Sequence, residues 1–272
     1  MTEHSIIAAT AAPRTLDSLV RDLQRLGVKP GETLLVHCSM SKLGWVSGGA
    51  EAIVRALLGA VGETGTLVMP SQSSQLSDPA RWQAPAVPQS WIETIRATLP
   101  AFDPLTTPTR DMGAVAELFR TFPGARRSLH PTCSFSALGL EAEAIIARQS
   151  LNEPFGDDGP LGHLYRSAAR VLLLGADFDA CTAFHMAEQK AWPSLPRIAE
   201  GSPIIADGQR RWVSFDIATG DAERFPGIGE ELVRQGLVQT GLVGSAGCHL
   251  MSLPAVVDAA AKIMAGQQPP SE

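Results

Sequence analysis

A chain of 272 residues with 44% hydrophobic and 18% charged residues can bury a full core, which excludes disorder along most of its length. The formal charge is −6 and no basic cluster exceeds the pairs Arg126–Arg127 and Arg210–Arg211, so nucleic acid is not expected as a partner and a cationic substrate suits the chain better. No apolar run approaches the roughly 18 residues of a membrane span, and MTEHSIIAATAAPRT has no basic region ahead of an apolar stretch; no membrane role and a cytoplasmic location are expected.

In chain order, residues 1–14 read as a flexible lead. Thr15 then caps a helix whose apolar positions Leu16, Leu19, Val20, Leu23 and Leu26 keep the helical period, and Gly27 ends it. Thr33–His37 reads as a buried strand, Cys38–Gly48 as a Ser/Gly-rich loop and Gly49–Val61 as a helix, the signature of an α/β unit. Thr66–Met69 is a second strand. A proline-rich excursion runs from Pro70 to Pro108 with one helical patch near Trp91–Ile95, and so long an irregular segment is usually functional. Gly113–Phe119 reads as a helix, Cys133–Leu138 as a strand, Glu141–Ala147 as a helix and Asn152–Gly159 as an acidic loop. Val171–Leu174 is the clearest buried strand, followed by a turn at Gly175–Asp179 and a helix from Cys181 to Ala191. Residues Pro203–Phe215, broken at Asp207–Gly208, read as a β-hairpin, and Gly227–Gln235 and Ser252–Ala265 as helices. Neither a repeat nor a clean linker divides residues 1–272, so one α/β domain is expected. Oligomeric state has no signature in the sequence.

Loops after buried strands are where open α/β sheets place their sites. His185 stands on the helix after the strongest strand, sharing a face with Cys181 and Glu188, which makes it a candidate base; a hydrogen-bonded structural histidine is the bland alternative. A metal site would want a second histidine at the following turn, where Gln189 stands instead, and C-x-x-C is absent, so no metal is expected. His37-Cys-Ser-Met-Ser-Lys-Leu-Gly44 leaves a strand with hydroxyls and backbone amides suited to phosphate oxygens. The patterns G-x-x-x-x-G-K-[ST], G-x-G-x-x-G and G-x-S-x-G are all missing, which removes nucleotide hydrolysis, the usual dinucleotide fold and an elbow-type serine hydrolase. Cys38 or Cys181 is either a nucleophile or an inert buried thiol. The loop acids Asp78, Glu153, Asp157, Asp158, Asp177, Asp179 and Asp216 either hold a polyamine or are ordinary solvated charges.

The runs LLVHCSMSKLGWVSGGAEAIVRALLGAVGETGTLVMPSQSS, TPTRDMGAVAELFR, RSLHPTCSFSALG and VLLLGADFDACTAFHMAE, in this order, resemble the aminoglycoside 3-N-acetyltransferase family from about Leu16 to Gly236. The resemblance implies an antibiotic N-acetyltransferase-type fold, one large α/β domain with a central mixed sheet flanked by helices. It implies direct transfer of an acetyl group from acetyl-CoA, without a metal, to the 3-amino group of an aminoglycoside, and hence antibiotic resistance. The same machinery acting on a different amine in secondary metabolism is the alternative. By resemblance, His185 of AFHMAE is the base and Asp216 of WVSFDI the carboxylate that orients it, with Asp221 and Glu223 as shifted alternatives. The cofactor segments carry over to His37, Cys38, Ser39, Leu43 and Gly44, to Thr109, Met112, Gly113 and Ala114, and to His130, Ser134 and Phe135. Asp78, Asp157 and Glu188 are expected to face the acceptor. The chain departs from the family pattern at Phe178-Asp-Ala-Cys181, where H-D-x-N is common, and at Gln72 and Gln75, which alters the acceptor side more than the catalytic core.

Overall fold

The computed structural model describes residues 2–270. Its helices and strands are, in chain order, α1 Glu3–Ala9, α2 Leu16–Leu26, β1 Thr33–Cys38, α3 Gly49–Val61, β2 Thr66–Pro70, α4 Ile92–Thr98, α5 Gly113–Phe119, β3 Arg126–Arg127, β4 Phe135–Gly139, α6 Ala142–Ile146, α7 Pro160–Arg166, β5 Arg170–Leu174, α8 Ala183–Ala191, β6 Arg197–Ala206, β7 Gln209–Ala218, α9 Phe225–Arg234, β8 Val238–Val243, β9 Ala246–Ser252 and α10 Leu253–Ala265.

Local chemistry sets several of these boundaries. Thr15 and Ser18 form a reciprocal capping box at the start of α2, and Gly27, at φ 103°, ends it in the left-handed conformation that a β-carbon disfavours. Asp207 and Gly208 both have positive φ, 52° and 73°, which the two-residue turn between β6 and β7 requires. Residue 1 of the expected flexible lead lies outside the described residues. Within the rest of that lead, residues 3–9 form α1, Trp45 Nε1 donates to Glu3 Oε1 at 3.2 Å, and the Trp45 amide donates to Thr10 Oγ1 at 2.9 Å.

The strands β3-β4-β2-β1-β5-β9-β8 make a seven-stranded mixed sheet, as expected for the α/β class, with β6 and β7 forming a separate two-stranded sheet. β1 is parallel to both β2 and β5, while β4 and β9 run antiparallel outside them. Side chains alternate between the two faces. Leu34, Val36, Leu172 and Leu174 pack under α2, α3 and α5, whereas Leu35, Val171 and Leu173 pack under α6 to α10. Both faces are therefore covered, which is why the central strands read as unbroken apolar runs. The chain leaves β1 toward α3 on one face and leaves the adjacent β5 toward α8 on the other. That divergence opens a crevice at the carboxyl ends of the two strands, which the Ser39 amide bridges by donating to the Leu174 carbonyl at 3.0 Å.

The excursion between β2 and α5 is held down by Arg127, a buried guanidinium with no carboxylate against it among the described residues. Its Nε donates to Ser134 Oγ at 2.9 Å, Nη1 to the Thr107 carbonyl at 2.6 Å, and Nη2 to Ser73 Oγ at 2.8 Å and to the Ser71 carbonyl. The ring of Phe102 lies 5.0 Å from the guanidinium carbon, and burial brings the side chain's pKa down to about 10. The β6–β7 hairpin docks on the same excursion, with the Phe102 amide donating to the Pro203 carbonyl at 2.9 Å and Glu200 Oε1 accepting from the Asp78 amide at 2.5 Å. Removing the fork leaves buried carbonyls and hydroxyls unpaired. Arg127→Ala is accordingly expected to destabilise the protein by about 3 kcal/mol in urea unfolding, and Arg127→Lys, which lacks the planar fork, to restore little of it.

Candidate active site

At the crevice lies a cavity of about 630 Å³. The turn Ser39–Lys42 and the start of α5 border it on one side, and Ala176–Ala180 and the start of α8 on the other. It brings together seven of the site residues that the resemblance implies, His37, Cys38, Ser39, Met112, Gly113, Ala114 and His185, with the loop acids Asp177 and Asp179 and with Gln72. Gly113, at φ 80°, comes close to the backbone of Cys38, and a β-carbon there would stand 3.6 Å from that carbonyl oxygen.

His185 is held on several sides. Its Nδ1 lies 2.7 Å from Oε2 of Glu188, one helical turn on, and Glu188 is only 2% exposed. The other carboxylate oxygen accepts the Asp221 amide at 2.7 Å. Phe155 stacks on the imidazole at 5.0 Å between centroids, and Phe225 meets it edge-on at 5.0 Å. A carboxylate can only accept, so Nδ1 carries a proton, and in the neutral ring the lone pair is that of Nε2. The arrangement can take a proton from a nucleophile in the cavity and stabilise the imidazolium that forms.

The carboxylate beside the imidazole is thus Glu188, not Asp216. Along β7, Phe215 points inward and is buried while Asp216, the next residue, points to solvent, as strand alternation demands. Only the backbone of Asp216 is engaged, its amide donating to Asn152 Oδ1 and its carbonyl accepting from Arg197. Asp221 contributes its amide, while its carboxylate pairs with Arg224 at 2.7 Å; Glu223 is exposed. The signal for Glu188 was its spacing of three from His185, which puts the two side chains one above the other on a helix.

Several expected contacts do not reach the cavity. Leu43 is a core residue, Gly44 faces Thr10 and Ser245, and Thr109 is occupied with Glu117 through its amide and hydroxyl, both at 2.7 Å. Phe135 is fully buried in the core and Ser134 belongs to the Arg127 network. His130 is a structural histidine: Nδ1 accepts the amides of Thr132 and Cys133 at 3.2 and 3.0 Å, and Nε2 lies 3.2 Å from the Leu151 carbonyl. Among the expected acceptor residues, Asp78 is gripped by two nitrogens of Arg96, at 3.0 and 2.7 Å, outside the cavity. Asp157 is an exposed loop residue away from the cavity, and Glu188 is committed to His185. The acids that do line the cavity are Asp111, Asp177 and Asp179, of which Asp177 pairs with Lys42 at 2.8 Å.

Burial raises the thiols of Cys38 and Cys181 to about 12, which keeps both protonated and poorly nucleophilic at neutral pH. Among the described residues no three His, Cys, Asp or Glu side chains converge as a metal ion requires, and no helix is long and apolar enough to cross a membrane.

This geometry is that of a carboxylate-oriented imidazole beside an open cavity at the switch point of an α/β sheet. A sequence model of the aminoglycoside 3-N-acetyltransferase family matches residues 35–265. The prophage-derived aminoglycoside N(3')-acetyltransferase-like protein YokD of Bacillus subtilis is 45% identical over 258 residues, 94% of each chain, and its crystal structure superposes with a TM-score of 0.95 over 97% of this chain and 98% of that one. Aminoglycoside N(3)-acetyltransferase VII of Streptomyces paromomycinus is 37% identical over 95% of this chain and 94% of its own. A structure of AAC-IIIb with CoASH superposes with a TM-score of 0.83 at 30% identity, over 96% of this chain and all 100% of that one. The chain belongs to the aminoglycoside 3-N-acetyltransferase family, and it is an acetyltransferase.

Two outcomes follow from the local geometry. A β-carbon on Gly220 would stand 2.8 Å from His185 Nδ1 and 2.9 Å from Glu188 Oε2, so Gly220→Ala should force the pair apart and cost about 1–3 kcal/mol. The low-field proton resonance of a hydrogen-bonded Nδ1–H, present in the parent, should be lost in that variant. Burial lowers the His130 pKa from 6.5 to about 4, so the folded state disfavours its charged form. Its contribution to stability is complete above the unfolded value and lost as pH falls toward 4, and His130→Gln should flatten the pH dependence of urea stability across that window.

Proposed function

We propose that this protein transfers the acetyl group of acetyl-CoA directly to the 3-amino group of the 2-deoxystreptamine ring of aminoglycoside antibiotics, conferring resistance, with His185 as general base and Glu188 as its orienting carboxylate. The observation that carries the reading is the 2.7 Å contact between His185 Nδ1 and the buried Glu188, beside a cavity large enough for two substrates to meet. Family membership supports the reaction type, and the CoASH-bound relative supports the cofactor.

The residues present suit the acyl donor. Lys42, the cation lining the cavity among the described residues, offers charge to pyrophosphate, and Ser39 and the Gly113 backbone offer close polar approach. A bound thioester supplies an activated acetyl carbon. His185 Nε2 takes the proton of the attacking amine as nitrogen adds to that carbon, Glu188 holds the resulting imidazolium, and His185 returns the proton to the departing sulfur. The inert thiols of Cys38 and Cys181 favour direct transfer over an acyl-cysteine. Asp179, exposed in the cavity and without an ion pair among the described residues, is suited to hold a cationic acceptor. Four unpaired cysteines suit a reducing compartment and so a cytoplasmic location.

A second acceptor class is favoured by one observation: Asp78 and Asp157 do not border the cavity, so the acids that do, Asp111, Asp177 and Asp179, are not those the family resemblance implies. Release of CoA thiol, measured with aminoglycosides carrying or lacking a free 3-amine and with simple polyamines, separates the two. Turnover confined to free 3-amine drugs is expected, with His185→Ala slower by about 10²–10⁴-fold and Glu188→Gln by a smaller factor. Turnover with other amines only would assign the chain to the second class, and undiminished turnover in His185→Ala would remove histidine as the base.

A further inference from the structure

His37 is the penultimate residue of β1. Leu35, two residues earlier, packs on the α8 side of the sheet and Val36 on the opposite side, so strand alternation puts the imidazole on the same side as His185. It is nine-tenths buried and lines the cavity, yet its Nε2 is sealed from solvent without a hydrogen-bond partner among the described residues. Native interiors rarely leave such a group unpaired. Among the other histidines, His130 has partners at both ring nitrogens and His185 has Glu188; His249 also leaves Nδ1 unpaired, but it stacks on Phe178 and does not line the cavity, so among the described residues His37 is the unpartnered histidine that a molecule bound in the cavity could meet. The sealed Nε2 cannot be reached from the cavity, so the neutral ring is best served with its proton on Nδ1, the nitrogen that is not sealed off, and the acceptor for that N–H comes from a molecule in the cavity.

The charge state narrows what that partner is. Burial, reinforced by the nearby His185, pushes the His37 pKa down to about 3, so the ring is neutral through the physiological range. A neutral imidazole gives up its proton to no one at neutral pH but donates a hydrogen bond well, which suits an uncharged oxygen that gains charge during a reaction. It does not suit a phosphate, for which Lys42 in the same cavity is better matched.

We propose that His37 donates the hydrogen bond that polarises the thioester carbonyl oxygen of the acyl donor and holds the negative charge that builds there. The inference rests on the acetyl-transfer reading. As the amine lone pair forms the C–N bond, the carbonyl π pair moves onto oxygen and His185 Nε2 takes the N–H proton. On collapse that pair re-forms the C=O bond, the C–S bond breaks with its electrons going to sulfur, and His185 returns the proton to sulfur. His37 keeps its own proton throughout.

The test uses the whole protein with acetyl-CoA carrying a ¹³C-labelled carbonyl, read by infrared difference spectroscopy, alongside steady-state kinetics of the parent, His37→Leu and His37→Gln. Bound to the parent, the labelled stretch should fall below its value in free acetyl-CoA. His37→Leu should lose that shift and about 10²–10³-fold in kcat, while its affinity for CoA, which has no acetyl carbonyl, stays that of the parent. His37→Gln, which keeps an N–H donor, should retain part of both; it also carries the test should the leucine variant not fold. An unshifted stretch in the parent overturns the proposal, as does a shift that survives in His37→Leu, which would transfer the role to the hydroxyls of Ser39 or Thr182 or to the backbone. Loss of CoA affinity in step with acetyl-CoA affinity also overturns it, making His37 a contact to the pantetheine arm. Failure of the parent to bind acetyl-CoA at all would overturn the acetyl-transfer reading itself, and that outcome is distinct from the other three.

Discussion

The architecture turns on the pairing of β1 with β5 as parallel neighbours whose chains depart to opposite faces of the sheet. Covering both faces demands strands that are apolar on both sides, and the strands Leu34–Val36 and Val171–Leu174 meet that demand with completely buried side chains. Because helices α3 and α8 cannot both fill the space beyond the strand ends, the polar residues that follow, His37 to Lys42 and Ala176 to His185, are left lining a crevice. Two stretches more than a hundred positions apart in sequence are thereby brought to one site by a single strand pairing.

Around that crevice the protein handles buried polar groups in two ways. Most are fully satisfied: Arg127 by carbonyls and hydroxyls, His130 by two amides and a carbonyl, Glu200 by the amides of Asp78 and Gly201, and Glu188 by His185 and Asp221. Such groups fix geometry, because in a low-dielectric interior any slippage leaves a donor or acceptor unpaired. The excursion between β2 and α5 and the β6–β7 hairpin are held against the sheet by this network rather than by secondary structure. His185 and His37, which line the cavity, are left incomplete, as are Arg14, Gln75, Ser202 and His249 elsewhere, and the satisfied network around the two cavity imidazoles keeps them from relaxing into further partners of their own.

Much of the fold was legible because its signals are local. Helices α3 and α5 begin and end where their glycines and apolar stripes indicate, and α2 where its capping residues and Gly27 do. The β8–β9 hairpin was not legible: Gly241, Gly244 and Gly247 interrupt its alternation, and β9 owes its existence to an open hydrogen-bonding edge on β5 rather than to its own pattern. The same distinction separates the site residues. His185 and Glu188 share a helical face and can be paired from their spacing. Asp216, Asp78 and Asp157 lie on a hairpin and on loops, where the register that decides which side chain faces inward depends on distant contacts such as those of Arg96 and Asn152.

The cavity wall carries charges of both signs, which bears on the two substrates it is proposed to hold. Lys42 faces Asp177 at 2.8 Å, but with side chains 43% and 71% exposed this ion pair adds little stability and opens at little cost when an anion arrives beside Lys42. Anion binding there would leave Asp177 unneutralised, adding to Asp179 and Asp111 on the cavity wall. Filling the site beside Lys42 would then leave the rest of the cavity wall with its negative charge uncompensated and more attractive to a cation, without any movement of the backbone. His37 and the Glu188-anchored His185 line the same cavity as these charges, so under the proposed mechanism local charge chooses the substrates while the two imidazoles handle the oxygen and the proton.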